Sequence, residues 1–201
     1  MKYSQFNRNV LANAFNFYAR ALTYPYDELT HELQYLFRGM EKNIENAFDN
    51  TVASRILEII NHYQGEEMKA LQAEYTRLFT PRKNIPPLIS LQLVDWTDDH
   101  DLSELEERLF DVGVSQYSGE HPDFVTHVLE YFASILDYED ENWILDFYQK
   151  FLKQPIPKLC TIIYKTTTLN FYKEIAKGLH DLIQLMAEAL EAPDIDSIDL
   201  E

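Results

Sequence analysis

The sequence predicts an all-α, single-domain bundle of about nine helices. Apolar residues recur at i, i+3/i+4 and i+7 through most of the chain. Helix breakers fall between those stretches: Pro25, Gly39, Gly65, Pro81, Pro86-Pro87, Gly113, Gly119, Pro122, Pro155, Pro157 and Pro193. The one β-branched run, Thr161 to Thr168, is interrupted by Tyr164 and Lys165 and lacks the alternation of a strand. Helices are therefore expected near residues 4–22, 27–38, 51–63, 67–79, 102–112, 123–136, 140–153, 157–166 and 168–190. Residues 1–190 are read as the helical domain. Residues 191–201, an acidic segment after α-helical sequence, are read as a frayed, solvated tail.

Taken in order, the first helix sets Phe6, Val10, Phe17, Tyr18 and Ala21 at helical spacing and stops at Thr23-Tyr24-Pro25-Tyr26. A second starts at Asp27-Glu28-Leu29. The fourth puts Leu71, Tyr75, Leu78 and Phe79 on one face and breaks at Thr80-Pro81, giving way to a segment stiffened by Pro86-Pro87. Pro122 and Asp123 supply a helix start for the sixth, whose stripe is Phe124, Val128, Tyr131, Phe132 and Ile135. In the eighth, Cys160 is expected to pack as a small buried hydrophobe near Ile162 and Ile163.

Charge divides the chain in two. Residues 1–90 carry ten acids and ten Lys/Arg, whereas residues 91–201 carry 24 acids and seven bases, which accounts for the whole net charge of −17. The acids concentrate at Asp95 to Asp111, Asp137 to Asp146 and Glu188 to Glu201. Such a field disfavours nucleic acid and anionic lipid and favours basic peptide, over roughly 8–10 Å at ordinary salt. No run approaches the ~18 apolar residues of a membrane span, so stable membrane insertion is not expected. The N-terminal MKYSQFNRNV lacks a secretory apolar stretch, and the expected location is the cytoplasm. With Cys160 the only cysteine, an intramolecular disulfide and a multi-cysteine metal site are both excluded.

Catalytic constellations are incomplete. Asp123, His127 and Glu130 share i, i+4, i+7 spacing, and Glu28-x-x-His31 has the local form of a di-iron ligand pair, but no second Glu-x-x-His accompanies it. His127 is read instead as half-exposed. The dipeptides His100-Asp101 and His180-Asp181 build no convincing cluster, and neither a P-loop nor a Gly-x-Gly-x-x-Gly motif occurs. No catalytic residue, metal or cofactor is assigned.

Glu74-Tyr75-x-x-Leu78-Phe79, the following proline segment with Ser90, and Glu120-x-Pro122-Asp123 together resemble the TorD/DmsD/NarJ family of molybdoenzyme maturation chaperones. The aromatic first helix running into a proline turn and Asn170-Phe171-Tyr172-Lys173 near the last helix extend the resemblance over roughly residues 8–185. Two positions depart from it. Phe124 stands where the family's motif has histidine, so no imidazole role is carried over, and Gln154-Pro155 replaces a common Trp-Pro.

The resemblance implies a TorD-like fold and a chaperone without turnover. It would bind the apo catalytic subunit of a molybdopterin-dependent oxidoreductase through an N-terminal, twin-arginine-type segment, assist cofactor insertion and delay export until loading is complete. The client and its export are left open, as is whether the chaperone is a monomer or a homodimer. The family pattern places Tyr75, Leu78, Phe79, Pro87, Leu88, Ser90 and Gln92 on one side of the peptide-binding region and Asp123 and Phe124 on the other. The same residues admit a plainer role, Leu78 and Phe79 as core above all. Trp96, beside Asp95, Asp98 and Asp99, is either a core anchor or an exposed ring suited to arginine. The alternative function is a small all-α metal-dependent phosphohydrolase, which stoichiometric transition metal in the purified protein would favour.

Overall fold

Helix α1 (Gln5–Ala21) is buried over most of its circumference: Leu11, Ala14, Phe15, Phe17, Tyr18, Ala19 and Ala21 are inaccessible, and Val10 and Ala12 nearly so. Only a narrow polar stripe, Asn9, Asn13, Asn16 and Arg20, faces outward, so most of the helix is enclosed by its neighbours, and its alanines let them approach closely. The computed structural model describes residues 5–47, 50–79, 99–111 and 124–190. Among the described residues the other helices are α2 (Leu29–Ala47), α3 (Asn50–Gly65), α4 (Met68–Phe79), α5 (Asp99–Asp111), α6 (Val125–Tyr138), α7 (Glu141–Phe151), α8 (Pro155–Thr166) and α9 (Asn170–Ala189). The chain is an all-α fold, with each helix close to its expected position. The acidic tail 191–201 lies outside the described residues.

α1 packs against α2 and α6, while α9 packs against α3 and α8. One apolar cluster runs through all of them. Its aromatic centre joins Phe15 of α1 to Phe132 of α6, ring centroids 4.8 Å apart and edge to face, and Phe132 to Phe147 of α7 at 6.0 Å. The Tyr148 hydroxyl donates to the Ile183 carbonyl at 2.9 Å, tying α7 to α9 across the core. Cys160 is fully buried on α8, as its sequence neighbours predict.

Three boundaries differ from expectation. α2 continues through Gly39 to Ala47 instead of stopping near residue 38. The glycine costs a helix about 1 kcal/mol, but continuing the turn carries Met40 into full burial. α8 starts at Pro155 rather than Pro157, because proline fits the first helical position, where its missing N–H is not needed. α6 begins at Val125. Phe124 is the extended residue before it and supplies no side-chain cap; Pro122 and Asp123 lie outside the described residues. α7, by contrast, has a side-chain cap: the Asp140 carboxylate accepts from the Asn142 and Trp143 N–H groups at 2.9 and 3.0 Å.

Candidate functional site

α4 presents a buried face and a half-buried flank. Leu71, Leu78 and Phe79 point inward and are buried. Tyr75, on the flank, is half-buried, its ring 4.8 Å from Phe79 and 5.3 Å from Tyr24 in the α1–α2 turn. Tyr24 is 49% exposed. Tyr24 and Tyr75 thus form an edge-to-face pair with an open side, beside the point where α4 ends and the proline-rich segment begins. An aromatic ring supported from behind and open in front can bury apolar groups of a partner with little ordering cost.

That edge is held from three directions. Toward the α1–α2 turn, Gln72 donates to the Pro25 carbonyl at 3.0 Å. The Tyr63 hydroxyl of α3 donates to the Tyr26 carbonyl at 2.7 Å and accepts the Tyr26 N–H at 3.1 Å. Burial pushes the Tyr63 hydroxyl up to about 12, so it remains a donor throughout the ordinary pH range. Toward α9, Tyr172 donates to the Leu71 carbonyl at 3.2 Å, its ring 5.7 Å from that of Phe79. Toward the α8–α9 connection stands Glu74, whose carboxylate takes two hydrogen bonds from Arg77 at 2.7 Å, one from the Thr167 hydroxyl at 2.7 Å and one from the Thr168 N–H at 3.2 Å. Arg77 passes a further hydrogen bond to the Thr166 carbonyl at 2.8 Å. The Arg77 hydrogen bonds lead in holding the Glu74 carboxyl down to about 2; burial opposes them, and Thr167 and Thr168 add to them.

Of the residues that the sequence singled out, Tyr75, Leu78 and Phe79 come together on α4, with Leu78 and Phe79 in the core. Phe124 sits half-buried at the start of α6, stacked on His127 with centroids 6.0 Å apart and planes 4° from parallel. His127 is buried rather than half-exposed: its position one turn after Phe124 puts it on the apolar face of α6. Pro87, Leu88, Ser90, Gln92, Trp96 and Asp123 lie outside the described residues. Tyr24 and Glu74 were missed as contributors, although both stand inside motifs that the sequence displayed. Among the described residues, no three His, Cys, Asp or Glu side chains gather as a metal ion would need, and no helix is long and apolar enough to cross a membrane.

The acidic half shows its own arrangement on α5 and α7. Arg108 of α5 reaches Asp146 of α7 at 2.6 Å and also pairs with Glu104, while Lys150 donates to Glu104 at 2.9 and 3.2 Å. Burial works to raise the Glu104 carboxyl, but hydrogen bonds from Lys150 and Arg108 outweigh it and hold the group below its ordinary value. The Arg108 guanidinium also lies 4.6 Å from the centre of the Trp143 ring.

No protein-family model matches the chain, and no curated protein matches it in sequence. In fold it is similar to a crystal structure from Archaeoglobus fulgidus described as that of "a putative redox enzyme maturation protein", with a TM-score of 0.59 and 15% identity. The match covers 86% of this chain and 93% of the other. At that identity the likeness is one of fold.

Proposed function

We propose that this protein is a maturation chaperone that binds the apo catalytic subunit of a molybdopterin-dependent oxidoreductase by its N-terminal segment. The carrying observation is the fold shared with the Archaeoglobus protein over most of both chains. The motifs at Glu74 to Phe79 and Glu120 to Asp123 supply the finer assignment to the TorD/DmsD/NarJ family. On this reading the protein works by binding, without turnover. Apolar residues of the client segment rest on the Tyr24–Tyr75 edge and the adjoining segment with Pro87, Leu88, Ser90 and Gln92. The client's basic residues face the acidic half, including Asp123 and the carboxylates near Trp96. Release after cofactor insertion then frees the client for export where it is exported.

The test is titration with a synthetic peptide copying the N-terminal segment of such an oxidoreductase from the same host. Tyr24→Ser, Leu88→Glu and Asp123→Asn should each weaken binding by about tenfold or more, equal to ~1.4 kcal/mol. Added salt should weaken it further, because opposite charges meet across the interface. Tyr24 is exposed, so its replacement should leave the melting temperature nearly unchanged. Binding indifferent to all three substitutions and to salt would sink the proposal.

A further inference from the structure

We propose that the Trp143 face of α7 is an arginine-accepting surface, and that α5 occupies it with the chain's own Arg108 until an arginine of the client displaces it. This rests on the preceding reading that the client segment carries arginine. The surface belongs to one helix: Trp143, Asp146 and Lys150 recur at i, i+3 and i+7, above the buried rings of Phe147 and Phe151. Arg108 comes from another. Its guanidinium stands 4.6 Å from the Trp143 centroid and 5.9 and 5.7 Å from those of Phe147 and Phe151, with Asp146 at 2.6 Å. Aromatic faces with a carboxylate at hydrogen-bond distance suit a planar guanidinium, which stacks and pairs at once. The ammonium of lysine can do the second but not stack in this way.

Two features make the resident arginine exchangeable. Its Nη1 is buried without a hydrogen-bond partner, so the seat is filled but the donor set is not fully satisfied. The resident guanidinium is thus held by less than its full set of donors. The helix that delivers Arg108 also has a narrow footing: among its described side chains Leu105 and Leu109 are buried, while Glu106, Glu107 and Phe110 face outward. Trp143 itself remains 41% exposed, leaving a side on which an incoming residue can begin to stack. An internal competitor lowers apparent affinity by the fraction of time that the surface is free. Weak, arginine-free segments are thereby refused, and a segment with several anchoring contacts is accepted.

The chain has two tryptophans, so Trp96→Phe leaves Trp143 as the sole reporter. This protein is titrated with a short acetylated peptide bearing two adjacent arginines, and with its lysine counterpart. The arginine peptide should change Trp143 emission and the lysine peptide should not. Adding Arg108→Gln should tighten the arginine peptide by about tenfold by removing the competitor. Arginine-peptide binding that leaves Trp143 emission unchanged overturns this inference alone, and so does a folded Arg108→Gln protein that binds no tighter. If Arg108→Gln fails to fold, the emission response of the protein retaining Arg108 decides. Absence of any peptide binding to the protein that retains Trp96, followed by calorimetry, overturns both this inference and the function on which it rests.

Discussion

Replacing Glu74 by glutamine keeps the shape of the side chain and removes the charge that the α4 to α8–α9 junction is built around. In the folded protein the Glu74 carboxyl is held near 2, against an ordinary value of 4.5. The shift spans roughly 2.5 pH units, and at ~1.36 kcal/mol per unit the ionised carboxylate contributes ~3 kcal/mol near pH 7. Glu74 is 8% exposed, but the Arg77 side chain that leads the shift is 40% exposed, so solvent screening makes this an upper bound. Because the folded value is depressed, the stabilisation is complete above the unfolded value of 4.5 and is lost as pH falls through about 2. By about pH 3 some ~1.4 kcal/mol should remain. Glutamine retains one oxygen that can accept from Thr167 and Thr168, which makes ~3 kcal/mol a ceiling for the cost of Glu74→Gln near neutrality. Urea unfolding of wild type and Glu74→Gln, followed by circular dichroism near pH 7, 4.5 and 3, measures the difference directly. It should be nearly constant between the first two conditions and fall by more than half at the third. A difference that does not change with pH would refute the assignment of this stability to the Glu74 charge.

The remaining predictions concern the interior. A Cβ at Gly178 would collide with the Tyr18 hydroxyl and with Arg55 Cγ, where α9 crosses α1 and α3. Gly178→Ala should therefore destabilise by about 1–3 kcal/mol of overpacking despite the helix preference for alanine. Tyr18→Phe, which removes a buried hydroxyl that has no hydrogen-bond partner, should recover much of that loss in the double variant; an additive double variant would mean that the hydroxyl is not the obstacle. Burial, aided by Asp181, pushes the Cys160 thiol well above its ordinary range. A thiol reagent should accordingly label the native protein at least ~100-fold more slowly than the urea-unfolded chain, and comparable rates would place Cys160 at the surface.

The fold was legible because helix spacing and breakers are local signals. Val10, Phe17 and Ala21 announce α1, and Pro25 lies just past its end, without reference to any distant residue. The departures arise where a tertiary gain outweighs a local cost, as when burial of Met40 carries α2 past Gly39. His127 shows a local signal left unused: it shares its face with Phe124, Val128 and Tyr131, and that face is buried. The site was legible only in part. Tyr75 and Phe79 could be paired from i, i+4 spacing, but Glu74 meets Thr167 and Thr168 more than ninety positions away. Likewise nothing near Arg108 in sequence announces Trp143. Hydrogen bonds and stacking between distant segments leave no periodicity to read.

On the proposed function, α4 would serve stability and recognition through different residues. Its inward residues, Leu71, Leu78 and Phe79, are fixed by burial, and Glu74 is fixed by four hydrogen bonds from two directions. Tyr75 therefore inherits its position from neighbours and need not be ordered by a partner, while Tyr24 is set beside it by a turn pinned through Tyr63 and Gln72. Conformational entropy that would otherwise oppose binding has already been lost on folding. Substitution at Glu74 should thus weaken binding only as far as it lets α4 move, whereas substitution at Tyr24 removes contact area from a frame that stays in place. The two effects separate by temperature. Well below the melting transition, Glu74→Gln should bind nearly as wild type does, and Tyr24→Ser should remain impaired.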